Sequence, residues 1–196
     1  LDDQAAVQVV SEHHLKGCMA KWPLIVVPGW GYLEPAFRDE LAAYAKQGGR
    51  LLLIGQGPVK LFGSELTAAK ASETSSVVSV ASADSALLPA LHRLMPTRLV
   101  EVSGSHHVDV SPRRLNNRLT IHLVNTSGPH ADAPKPGGIR EIPPTGPLTV
   151  AVRLPQKPKS ITLQPEGKPL EVTWNDGLAT VTLPKLDLYA ILVLDE

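Results

Sequence analysis

The sequence predicts an α/β unit followed by an all-β unit. Two observations predict it: unbroken apolar runs flanking an amphipathic helix in the first half, and short alternating β-rich segments in the second. The runs Leu24–Val27 and Leu51–Ile54 lack polar alternation, as expected of strands covered on both faces of a parallel sheet. Between them, Pro35 suits the first helical position, where its missing N–H would be unpaired anyway, and Gly48-Gly49 supplies the stop. Phe37, Leu41 and Tyr44 recur at i, i+4 and i+7, one apolar stripe to lie on the sheet. Strand, helix and strand joined tightly make a βαβ unit, whose crossover should be right-handed. Val7–Val10 is a short strand candidate ahead of it, and Val77–Val80 is a further strand. Ser85–Leu94 reads as a helix closed by Pro96, with Pro89 near its first turn, where proline does least harm.

From Thr97 onward no helical stretch intervenes. Leu99–Val102, Val108–Val110, Leu119–Val124, Leu148–Leu154, Ile161–Leu163, Leu170–Trp174, Ala179–Leu183 and Tyr189–Leu194 read as short strands. Leu119, Ile121 and Leu123 alternate with Thr120 and His122, giving one buried face. Asn175-Asp176-Gly177 is a hairpin signal, because Asx and Gly tolerate the positive φ of tight turns. So many short strands favour an antiparallel sandwich. The expected domains are therefore 1–96, α/β, and 97–196, β-sandwich. Pro129–Pro147, with six prolines, reads as a long loop rather than a ladder strand.

Composition excludes several classes. Lys plus Arg and Asp plus Glu both number 19, so no field of one sign attracts nucleic acid or an anionic membrane. No apolar run approaches the roughly 18 residues of a membrane-spanning helix. The lone Cys18 excludes an internal disulfide and says nothing of compartment. The chain begins at Leu1 without a signal peptide and reads as cut from something longer; its localisation stays open.

Catalytic patterns fail one by one. A thiol nucleophile needs a sharp strand-to-helix turn and a nearby base, but Leu51–Ile54 runs into Gly55-Gln56-Gly57-Pro58, with no Cys or Ser. Cys18 lies instead in a short helix before Leu24–Val27 and reads as a small hydrophobe packed near Met19. The third glycine of a dinucleotide loop falls on Lys60, and no Gly-Lys-Ser/Thr follows; Gly55–Pro58 reads as a strand-to-loop exit, and no cofactor is expected. His13-His14 and His106-His107 are adjacent pairs, whose side chains would diverge on a strand, so no metal site is expected. His122 reads as hydrogen-bonded to a nearby loop. No two of Glu34, Glu40, Glu65, Glu101, Glu141, Glu166 and Glu171 are marked by spacing as a glycosidase pair. What remains is Trp30-Gly31-Tyr32, just past an apolar run. Ligands gather at the carboxyl ends of strands in open α/β sheets, so Trp30 and Tyr32 are candidates for an interface or sugar contact, against a plainer role in local packing. Trp174 reads as cross-strand packing.

Two stretches resemble known families. Trp22-Pro23-Leu24-Ile25-Val26-Val27-Pro28-Gly29, Leu33-Glu34-Pro35 and the run Leu41 to Gly55 resemble the amidotransferase-like domain that follows the catalytic barrel in β-galactosidases, often called the trimerisation domain. Arg118 to Gly128, Lys157 to Pro165, Trp174-Asn175-Asp176-Gly177 and Leu186-Asp187-Leu188-Tyr189 are similar to the sandwich closing many fucosidase- and galactosidase-like proteins. The resemblance implies a partial flavodoxin- or amidotransferase-like parallel sheet plus a sandwich, forming an accessory region of a glycoside hydrolase-like parent. Its implied partners are the parent's catalytic barrel and a second copy of itself. It implies no catalytic residue here, since both family carboxylates lie in the barrel. The rival readings are a carbohydrate-binding module and a stand-alone enzyme of amidotransferase-like fold. Flavodoxin-like sheets have the order 2-1-3-4-5, and only Leu1–Ala6 precede Val7. The α/β half should thus pair Val7–Val10 directly into a small sheet of about four strands or borrow a strand from a second copy, in preference to exposing an association-prone edge.

Overall fold

The structure is a computed structural model that describes residues 3–67, 76–83, 85–116, 118–128 and 141–196. It separates into two compact units, Val9–Thr97 and Arg98–Glu196, the latter also taking Leu1–Gln8. The first residues of the chain thus group with the all-β unit, where the 1–96 division had them with the other.

In the first unit a one-turn helix α1 (Glu12–Leu15) and a 3-10 turn (Met19–Lys21) lead into β1 (Ile25–Pro28). Then come α2 (Pro35–Lys46), β2 (Leu51–Ile54), α3 (Gln56–Thr67), β3 (Val77–Val80) and α4 (Leu87–Leu94). The three strands are parallel in the order β1-β2-β3, with Ile25 opposite Leu51 and Leu51 opposite Val77. Consecutive right-handed crossovers in one direction place their helices on the same face. Phe37 and Leu41 of α2 and Phe62 of α3 accordingly share one core with Ile25, Val27, Leu51, Leu53, Leu15 and Met19. Ala90 and Leu94 of α4 pack on the opposite face against Leu52 and Val80. Pro35 opens α2, as its fixed φ allows.

Three expectations need correction. Val7–Val10 forms no strand, and Val7 and Val9 are 82% and 96% exposed: β-branched residues become a strand only where a neighbour takes their backbone groups. Among the described residues the sheet therefore has three strands rather than about four. The exit after Leu51–Ile54 is not a loop, because α3 begins at Gln56 with Pro58 in its first turn.

The second unit holds β4 (Val100–Ser103), β5 (Val108–Leu115), β6 (Arg118–Asn125), β7 (Leu148–Arg153), β8 (Ser160–Gln164), β9 (Lys168–Pro169), β10 (Thr173–Asn175), β11 (Leu178–Leu183) and β12 (Tyr189–Asp195). Antiparallel sheets ordered β10-β11-β7-β4 and β5-β6-β12-β8-β9 enclose one core. Leu119, Ile121, Leu123, Leu192 and Leu194 from one sheet meet Leu148, Val150, Val152, Val181 and Leu183 from the other, as sandwich packing requires. Asp176 and Gly177 take φ of 47° and 78° between the paired residues Asn175 and Leu178, a two-residue hairpin. The expected strand Leu170–Trp174 is instead divided: β9 pairs β8 in one sheet, while β10 pairs β11 in the other. The chain changes sheets across residues 170–172. Of the proline-rich loop, residues 129–140 lie outside the described residues.

Candidate functional site

The loop from β1 to α2 is pinned at both ends. Gly29, at φ 57°, donates its N–H to the carbonyl of Ile54 at 2.7 Å, and Leu33 is buried in the first unit's core. The first turn of α3 presses on it from beside. A Cβ on Gly57 would lie 2.7 Å from the carbonyl oxygen of Trp30, so only glycine fits there. Between these anchors the side chains project: Trp30 is 57% exposed and Tyr32 72%. This is a fixed backbone carrying two uncovered aromatic side chains at the carboxyl end of β1.

Two grooves on the surface do not include them. One, of about 390 Å³, runs between α2 and α3 over Phe62, and its carboxylate, Asp39, pairs with Arg38 at 3.2 Å. The other, of about 440 Å³, lies in the second unit beside Asp3, Arg98 and His106. There the Asp3 carboxylate pairs with Arg98 at 2.5 Å, and the Gln4 side chain donates to the carbonyl of Ser105 at 2.7 Å. Each groove thus holds a single acidic group already committed to an arginine, whereas glycoside hydrolysis uses two facing carboxyls.

Cys18 directs its Sγ–H to the carbonyl of His14 at 2.9 Å, while the His14 ring bonds to Ser11 Oγ at 2.7 Å. The thiol therefore faces a backbone acceptor and no base. His13 and His14 sit on α1 and not on a strand, so the strand argument for their divergence does not apply. Among the described residues no three metal-binding side chains cluster.

His122 bonds differently from the expectation. Its Nδ1 meets the hydroxyl of Tyr189 on the neighbouring β12 rather than a loop, and its Nε2 lies 3.4 Å from Thr120 Oγ1. Thr120 Oγ1 also donates to the carbonyl of Arg113 at 3.2 Å. Both ring nitrogens of His122 thus have partners on the sandwich's outer face.

A residue the sequence did not single out is Asn125. It is buried at the end of β6 and donates through Nδ2 to the carbonyls of Pro143 (2.9 Å), Leu186 (3.3 Å) and Asp187 (2.6 Å). Its Oδ1 accepts from the Ser127 N–H at 2.9 Å. The only sequence signal is an Asn ending an alternating strand before Thr-Ser-Gly. Trp174 packs against the sandwich core.

No family model and no curated protein sequence matches the chain. Solved structures do. The α-L-fucosidase isoenzyme 2 from Paenibacillus thiaminolyticus is similar over 92% of this chain at 13% identity, with a TM-score of 0.66. A rhamnosidase from Novosphingobium sp. PP1Y is similar over 88% at 17% identity, with a TM-score of 0.57. The chain spans 42% of the fucosidase chain and 17% of the rhamnosidase chain. In fold, an α/β sheet followed by a sandwich, the chain is thus similar to regions of glycoside hydrolases.

Proposed function

We propose that this chain is a non-catalytic accessory and oligomerisation region of a glycoside hydrolase-like protein. The observation that carries the reading is coverage: nearly the whole chain matches the fucosidase, yet it spans less than half of it. Neither of the two grooves carries a second carboxyl, and on this reading the chemistry is carried elsewhere in the parent. The finer domain type is an amidotransferase-like unit of the β-galactosidase trimerisation kind, supported by the order β1-β2-β3 with α2 and α3 on one face. That arrangement suits the later strands of a flavodoxin-like sheet. The region packs on a catalytic barrel, and the exposed Trp30 and Tyr32 are contact residues, since large aromatics on a fixed loop anchor interfaces well.

The test is hydrolysis of aryl fucosides, rhamnosides and galactosides by the purified chain. The expected result is none. Turnover that survives purification to homogeneity and disappears on changing a single Glu would overturn the reading.

A further inference from the structure

The outer face of the sandwich's five-stranded sheet carries polar side chains that the fold does not use. Strand register lines up Ser111, His122, Ile191 and Gln164 across β5, β6, β12 and β8, with Asp109, Val124 and Tyr189 in the row beside them. All of these point away from the core, because the residues alternating with them, such as Val110, Leu123 and Leu192, are buried in it.

Tyr189 is 44% exposed and Val124 36%, yet the tyrosine is not loose. Its hydroxyl meets His122 Nδ1, His122 Nε2 lies 3.4 Å from Thr120 Oγ1, and that oxygen donates to the Arg113 carbonyl at 3.2 Å. Water would satisfy an exposed phenol nearly as well, and fixing three side chains costs rotamer entropy. The relay therefore contributes little to folding. What it does is set the ring's orientation before anything meets it. Around the ring stand Asp109, Ser111 and Gln164, all half-buried. None of their side chains has a hydrogen-bond or ionic partner among the described residues.

We propose that this patch binds a neutral oligosaccharide. A sugar ring offers an apolar face of C–H groups and a rim of hydroxyls. The apolar face fits an oriented aromatic ring beside a valine, and the hydroxyls fit an unengaged carboxylate, hydroxyl and amide, which between them supply both donors and acceptors. Neighbouring strands lie about 4.8 Å apart, so Ser111 and Gln164, three strand spacings from one another, are separated by about 14 Å. That reach exceeds one sugar ring and suits a short chain of them. Asp109 and, two residues beyond Ser111, Arg113 leave the face without net charge, so it draws neither an anionic nor a cationic ligand. One aromatic ring with an open polar rim makes a weak site, with a dissociation constant of about 0.1–1 mM. The proposal stands on the sandwich alone and goes beyond the accessory reading, giving that region a ligand of its own.

The experiment is an NMR titration of the full chain with maltotriose, cellotriose, xylotriose, mannotriose and galactotriose, and with trigalacturonate as the acidic probe. Each is taken to about 10 mM, well above a millimolar dissociation constant. At least one neutral trisaccharide should shift the amides of β5, β6, β12 and β8, centred on His122 and Tyr189. Tyr189→Ala should weaken that binding at least about tenfold, with circular dichroism unchanged. Leu88→Ala, at an exposed site on α4 in the other unit, should leave it as it was. If Tyr189→Ala fails to fold, Gln164→Ala decides, with an expected loss of about threefold or more. No shift from any neutral trisaccharide, shifts centred elsewhere, a preference for trigalacturonate, or an affinity indifferent to these two substitutions would overturn the inference. A chain that binds no sugar would leave the accessory reading standing, with this face free for protein contact. Glycoside turnover would sink that reading whatever binds here.

Discussion

Asn125 ties three chain segments to the end of β6, offering its amide protons to carbonyls near Pro143 and Leu186–Asp187. The Pro143 and Leu186 carbonyls keep Ser127 Oγ and the Thr145 N–H as donors. Without the side chain, however, the Asp187 carbonyl loses its 2.6 Å bond and the Ser127 N–H loses its acceptor, and each such loss at a buried group costs about 1–3 kcal/mol. Asn125→Ala should therefore destabilise the sandwich by about 2–3 kcal/mol in urea unfolding, and Asn125→Asp by at least as much, because it sets an anion against carbonyl oxygens. At the surface, Arg114 grips Glu196 with both carboxylate oxygens, at 2.8 and 3.0 Å. The hydrogen bonds to Arg114 hold the Glu196 carboxyl below the usual carboxylate range and push the Arg114 guanidinium up. A lowered native pKa means the stabilisation is present above the unfolded value, near pH 4.3, and is lost as pH falls through the native one. An exposed pair contributes little to overall stability. The sensitive readout is an NMR titration, in which Arg114→Ala should return Glu196 upward to the ordinary range. For Trp30, exposure predicts that Trp30→Ala weakens association or docking and leaves the melting temperature nearly unchanged. A buried Trp lost this way would cost about 3–5 kcal/mol, so a large fall in stability would place it in the core.

At the scale of elements, the β1–α2 loop and the start of α3 depend on one another through Gly57. Any Cβ there meets the backbone oxygen of Trp30 rather than a movable side chain, so Gly57→Ala should cost about 1–3 kcal/mol and disturb the Trp30 fluorescence spectrum. Glycine before proline reads as a loop, and that is why α3 escaped sequence reading. Pro58 in its first turn breaks no hydrogen bond, the same argument that placed Pro35 correctly at the head of α2. The hairpin at Asp176-Gly177 was legible because its φ angles are local demands. The division between β9 and β10 was not, since Leu170 and Val172 look the same whichever sheet receives the neighbouring residues.

For the whole molecule, the first residues belong to the second unit. Asp3 and Gln4 hold Arg98 and the carbonyl of Ser105, although nearly a hundred residues separate them in sequence. Deleting residues 1–8 should destabilise the sandwich by about 1–3 kcal/mol, the worth of hydrogen bonds to a partly buried charge. The core of Val9–Thr97, which uses none of these groups, should melt as before. Differential scanning calorimetry of the truncated and full chains checks this directly.

What the sequence by itself determined is the class of each half and nearly all of their strands. Burial on two faces, burial on one face, and positive-φ turns each leave a local pattern in the residues. What only the tertiary structure decided is who neighbours whom. Val7–Val10 has strand-forming residues but no strand beside it, and Leu1–Gln8 joins a unit that begins at Arg98. Trp30 and Tyr32 are uncovered, a fact about absent neighbours that no local pattern records. Pairing, burial and exposure are relations between distant segments, and chain order constrains them only through the path the whole fold takes.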